Sequence, residues 1–159
     1  MTPIFNDILL WLFVMNLGVA FGAGLYEQRI VLPQWFSHSS ENGWRVDDEA
    51  MRRTDPGRSF WAYVTTVPLT LLTLASVVVT WNLGNSINRW WLAAAVITLL
   101  ERIGTFSYFI PTALKLMRAE TVSATRSAMA SQWMRLSLLR AGLGLAGWLA
   151  ALKALSLLG

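Results

Sequence analysis

"WWLAAAVITLLERIGTFSYFIPTA", Trp90 to Ala113, is an apolar run long enough to cross a bilayer, with an acid and a base side by side at its middle, Glu101 and Arg102. About 20 mostly apolar residues suffice for a membrane-spanning helix. Three other stretches meet that length: Ile4–Leu25, Phe60–Trp81 and Met134–Leu158. The 159-residue chain is 55% hydrophobic and only 14% charged, where a soluble domain is nearer a quarter charged. Its mean hydropathy is +0.47. The expected fold is all-α, an integral membrane four-helix bundle forming one transmembrane domain over 1–159. The spans are expected at about 4–31, 58–82, 88–115 and 131–158, with one longer loop at 33–57.

Several function classes fall away on composition. Without cysteine there is no disulfide, thiolate nucleophile or cysteine-ligated metal. The first apolar run lacks a basic segment ahead of it and is longer than a signal-peptide core, so it reads as a retained span. Arg29, Arg45, Arg52, Arg53, Arg58, Lys115, Arg118, Arg126 and Arg135 collect on one side of the alternating helices, against Arg89 and Lys153 on the other. The positive-inside rule then places the 33–57 and 115–131 loops in the cytoplasm and both termini outside. The basic charge belongs to that orientation, and no nucleic-acid partner is expected. Phosphate-binding glycine loops, dinucleotide fingerprints and nucleophile elbows are absent, as is an internal repeat.

In the 33–57 loop, Trp35, Phe36 and Trp44 suit the membrane–water interface. A short surface helix is expected from Asn42 through Glu49 to Arg53, and Asp55-Pro56 reads as the cap and first turn of the second span.

Inside the spans, polar residues recur at alternating intervals of three and four, which is one face of a helix. Tyr63, Thr66, Thr70, Thr73, Val77 and Thr80 form one such stripe, and Thr98, Glu101, Thr105, Tyr108 and Thr112 another. Asn16, Ala20, Ala23 and Glu27 share a face of the first span, and Trp133, Leu136, Arg140, Gly144, Gly147 and Ala151 one of the fourth. Taken singly, threonine hydroxyls in membrane helices bond back to a carbonyl one turn earlier, and small residues mark close helix packing. Four such faces together point to a shared polar interior.

Each charge at the bilayer centre costs about 2.5–3.5 kcal/mol even on lenient scales. Glu101 lies roughly 16 Å from Trp90 along the helix, near the midplane. Neighbours on a helix diverge by about 100°, so Arg102 is expected to reach across to Glu27, leaving Arg140 to pair with Glu101. The candidate catalytic set is Glu101 as base, Arg102 and Arg140 as anion stabilisers, Tyr108 as hydrogen-bond donor and Glu27 as orienting partner. Substrate contacts are expected from Asn16, Tyr63, Thr66, Thr70, Trp61 and Thr105, with Phe13, Phe21, Trp61 and Phe106 as apolar walls. The alternative is a pair of buried salt bridges that only set helix register. His38, the single histidine, is a metal ligand only if haem is present. No metal and no other cofactor is expected.

The glycine-rich "NLGVAFGAGLYEQRIVLPQW", the "DPGRSFWAYV" opening of the second span, "ERIGTFSYFIPT" in the third, and Trp133 with Arg140 in the fourth resemble the anthrone oxygenase-like family of small four-span membrane proteins. That resemblance covers nearly the whole chain. It implies oxidation of a polycyclic phenolic substrate by O₂ without a recognised cofactor motif. The expected function is a small integral membrane enzyme that abstracts a proton from a lipophilic, aromatic substrate, with oxidation or isomerisation following. The alternatives are a non-catalytic binding or transport protein for a small lipophile, and a haem-dependent membrane isomerase or oxygenase. Gly18-x-x-x-Gly22 makes a homo-oligomer the expected assembly.

Overall fold

A computed structural model describes residues 3–39, 43–81, 86–118 and 123–158. The first span is α1 (Pro3–Tyr26), a π-helical segment (Glu27–Val31) and α2 (Leu32–Trp35). A hairpin follows, β1 (Phe36–Ser39) and β2 (Gly43–Val46), then the short α3 (Asp48–Thr54). The second span is a π-helical segment (Gly57–Thr66) continued by α4 (Val67–Trp81). The third joins α5 (Ser86–Gly104), a π-helical segment (Thr105–Phe109) and α6 (Ile110–Met117). The fourth is one continuous helix, α7 (Ser123–Leu155).

All four are long and apolar enough to cross a membrane, over Ile4–Trp35, Ser59–Trp81, Arg89–Met117 and Thr125–Leu155. The fold is the expected all-α membrane bundle. Its outward surface carries large apolar side chains such as Trp11, Met15, Leu71, Leu100, Ile103 and Leu138, each about half exposed or more. Apolar surface on that scale marks a contact with membrane or protein, and the length and hydropathy of these helices fit a membrane. The spans pack in a ring: first on second, second on third, third on fourth and fourth on first. The first and third therefore stand diagonally opposed.

The widened turns have a common cause. Proline inside a helix withholds one N–H and its ring collides with the carbonyl four residues earlier. In membrane helices, π adjustments beside the proline absorb this. Here Leu32, Val67 and Ile110 each donate to the carbonyl five residues back, Glu27, Ala62 and Thr105. Pro33, Pro68 and Pro111 are the very next residues in each case. Pro68 has no N–H for Val64, one α-turn before it, and Asn16 Nδ2 donates to that carbonyl at 3.1 Å instead.

Four elements depart from the sequence reading. The loop expected over 115–131 is mostly helical, since α6 runs to Met117 and α7 starts at Ser123. The 33–57 loop contains a hairpin, with Phe36 opposite Val46 and His38 opposite Trp44. Its short helix starts later than expected. Asp47 is the cap, its carboxylate accepting from the Ala50 N–H at 2.8 Å, while Asn42 lies outside the described residues, as does most of the 82–88 turn. Pro56, not Asp55, caps the second span, and no side chain serves it; the Asp55 carbonyl accepts from the Ser59 backbone and hydroxyl. Gly43 sits at φ +68°, and its backbone lets the next residue, Trp44, donate its N–H to Ser127 Oγ at 3.0 Å. The hairpin is thus fastened to the start of α7.

Candidate active site in the proline-widened half of the bundle

The three π-helical segments surround a cavity of about 220 Å³ that reaches from the bundle's middle towards the hairpin end. Glu27, Asp55, Trp61, Glu101, Arg102, Thr105 and Arg140 are among the residues of its polar wall. Phe21, Trp35, Met51, Phe109, Trp133 and Gly144 are among its apolar wall. At this level three of the four spans depart from regular α-helix.

Two buried ion pairs organise the polar wall. Arg140 Nη2 on the fourth span donates to Glu27 Oε2 on the first at 2.9 Å, and Trp61 Nε1 from the second donates to Glu27 Oε1 at 3.2 Å. One carboxylate therefore ties three spans together. The Arg140 guanidinium also lies over the Phe109 ring from the third, 4.4 Å from its centroid, a cation–π contact. The second pair is local. Arg102 donates through Nε at 2.7 Å and through Nη2 to the same Glu101 oxygen, Oε2. Thr105 Oγ1 donates to the other, Oε1, at 3.2 Å.

This exchanges the expected partners. Arg102 does not reach Glu27, because the first and third spans face each other across the bundle's diagonal. It folds back onto its neighbour, which a guanidinium on a three-methylene stem can do despite the angular offset. Arg140 takes Glu27 because the first and fourth spans are in contact. The four charges of the two pairs cancel, and Asp55 adds a further carboxylate to the lining. Arg140 commits a single N–H to a hydrogen bond among the described residues.

Of the expected substrate contacts, Trp61, Thr66 and Thr105 line the cavity. Tyr63 does not: it is 77% exposed on the outer face. Thr70 bonds back to the Thr66 carbonyl at 2.6 Å, and Asn16 serves the Val64 carbonyl. Tyr108 is also outside the lining, its ring packed between Phe109 and Trp133 at centroid distances of 5.4 and 6.5 Å. Both tyrosines fall within π-helical segments, where more residues per turn break the three-and-four rhythm that placed them inside. Among the expected walls, Phe21 and Trp61 are correct. Phe13 is fully buried in the core nearer the termini, and Phe106 faces outward at 49% exposure.

Sequence reasoning missed Trp35 and Met51 as wall residues, because both come from outside the spans as read. Trp35 Nε1 donates to Thr54 Oγ1 at 2.9 Å, and the Trp35 carbonyl accepts from the Asp47 N–H at 2.8 Å. These bonds swing α3 under the bundle so that Met51, 1% exposed, closes the cavity floor. A signal was present in "VDDEAMRRT": a capping aspartate, acids in the first turn, arginines in the last and an apolar Ala-Met pair between. His38 is exposed on β1 with its ring 5.0 Å from Trp44 and is not part of the cavity lining. Among the described residues no group of three His, Asp or Glu side chains converges as a metal site.

Comparison with protein-family models, curated proteins and solved structures finds no match to this chain.

Proposed function

We propose that this chain is a small membrane enzyme whose cavity takes a lipophilic, flat aromatic molecule bearing one hydrogen-bonding oxygen and removes a proton from it. The observation that carries this reading is the wall itself: aromatic rings around two arginine–carboxylate pairs, each neutral as a pair, buried where a lone charge would be costly. A neutral aromatic ligand suits the rings, and the uncommitted Arg140 N–H groups suit its oxygen. Glu101 Oε1 receives only the Thr105 hydroxyl hydrogen bond and keeps a lone pair with which to take a proton. The enolate or phenolate so formed would sit against Arg140. Reaction of that anion with O₂ is the outcome that the anthrone oxygenase-like resemblance implies; reprotonation at another carbon is isomerisation.

Glu101→Gln is the test. The variant should stay folded and bind a polycyclic phenol but lose turnover, and full turnover in it would remove Glu101 from the chemistry. A second reading, binding or transport without chemistry, is favoured by the arginine bonds that both carboxylates already accept. It predicts that wild-type protein returns the ligand unchanged. The proposed orientation keeps the hairpin end cytoplasmic. Because the chain has no cysteine, a Ser37→Cys variant labelled from one side of sealed vesicles reads this directly. The proposed homo-oligomer would use Gly22, where an added Cβ meets nothing within 4 Å; Gly18 already packs against Trp148.

A further inference from the structure

A second concavity, a groove of about 660 Å³, opens sideways between the first and fourth spans at the hairpin end. Arg29 and Arg135 line it, one from each span, with Trp44 of the hairpin and Ser131 beside them. Both arginines are exposed, and neither makes an ion pair or side-chain hydrogen bond among the described residues. They contrast with Arg102 and Arg140 in the cavity, which are both paired.

The first span runs towards the hairpin and α7 runs away from it, since the hairpin is bonded to Ser127 near the start of α7. Leu25, one turn before Arg29, and Leu138, one turn after Arg135, therefore both lie on the side nearer the membrane centre. These two groove residues are 47% and 68% exposed. The groove is thus cationic at its outer end and aliphatic at its inner end, with an indole at the level where lipid head groups lie. A free anion would use the arginines and leave the leucines without purpose. A neutral acyl chain would do the reverse.

We infer that this groove is a binding site for an acidic phospholipid, its phosphate between Arg29 and Arg135 and an acyl chain along Leu25 and Leu138. Basic pockets between spans hold acidic lipid head groups in this manner. The site is separate from the proposed catalytic cavity and does not depend on that reading. Gln28 forms part of both walls, and its Nε2 donates to the Ser137 carbonyl at 2.9 Å, fastening first span to fourth between the two spaces.

The test is native mass spectrometry of the detergent-purified full chain, incubated with equal amounts of phosphatidylglycerol and phosphatidylcholine. Two arginines near a membrane surface predict a preference for phosphatidylglycerol of roughly thirtyfold. Arg29→Gln/Arg135→Gln should abolish it, and Arg135→Gln alone, which disturbs the fold less, should leave about fivefold. Arg53→Gln/Arg118→Gln, altering exposed cations elsewhere, should leave it intact. Equal retention of the two lipids, an undiminished preference in both groove variants, or displacement of the lipid by inorganic phosphate would overturn the assignment.

Discussion

The two ends of this bundle are built differently. Towards the termini the spans are regular α-helices, and Leu10, Phe13, Leu69, Ala94 and Ala151 pack into a core with almost no exposure. Three threonine hydroxyls there are absorbed locally: Thr73, Thr80 and Thr98 donate to carbonyls one turn back at 2.6–2.7 Å. Towards the hairpin, three of the four spans are widened beside prolines, the core is rich in aromatic rings, and five charged side chains line a cavity. Residues of all three widened segments, Glu27, Trp61, Thr66, Thr105 and Phe109 among them, line the cavity. π-bulges are frequent at functional sites. The difference teaches that irregularity here is placed, since Pro33, Pro68 and Pro111 bring it to one level of the bundle.

The largest effect should come from the regular end. Phe13→Ala leaves a void in a core that cannot collapse, and a loss of about 3–5 kcal/mol is expected in a reversible unfolding titration. A small loss would show that the dense end is not dense. Next is the ion pair between spans. Glu27→Leu strands the Arg140 guanidinium and should cost about 3 kcal/mol, whereas Glu27→Leu with Arg140→Leu should be tolerated far better. If the double variant is as unstable as the single, the pair is not the unit that holds first span to fourth.

A smaller effect sharpens the proline argument. Asn16→Ala removes the donor to the Val64 carbonyl and should cost about 1 kcal/mol. In a Pro68→Ala background the restored backbone N–H takes over, and the same substitution should cost much less. Additive losses would mean that Asn16 is not compensating for the proline. The smallest effect concerns α3 at the cavity floor. Asp48 is held below its usual value of 3.8, first by the hydrogen bond from Arg126 and then by Arg52, at 3.1 and 2.6 Å. Because the folded carboxyl is the stronger acid, its contribution is complete above pH 3.8 and is lost as the pH falls through the lowered folded value. Asp48→Asn should flatten that acid limb of the stability profile.

The same division explains what could be read from the sequence. The count of spans, their apolar faces and the interior position of Glu27, Glu101, Thr105 and Arg140 follow from hydropathy and a 3.6-residue period, which holds up to each widened turn. Tyr63 and Tyr108 were misplaced because they lie within those turns. The ion pairs were exchanged because partner choice depends on which spans adjoin, and a linear stripe carries no information on the diagonal of a ring. Trp35 and Met51 became visible only once the hairpin and α3 had folded back over the cavity. Pro33, Pro68 and Pro111 were not read as helix disturbances, and their equal spacing from the carbonyls of Glu27, Ala62 and Thr105 emerges only in three dimensions.

The central claim is that the widened half holds a lipophile between the aromatic wall and the two ion pairs. Gly144 lines that cavity, and a Cβ added there meets nothing within 4 Å, so Gly144→Leu should fill the space while preserving the fold. The decisive measurement is equilibrium binding of a fluorescent polycyclic phenol to wild-type protein and to Gly144→Leu in detergent micelles. Saturable binding to the wild type, lost in a Gly144→Leu variant of unchanged helicity and thermal stability, is the predicted result. Equal affinity in the two proteins, or no saturable binding to either, would contradict it.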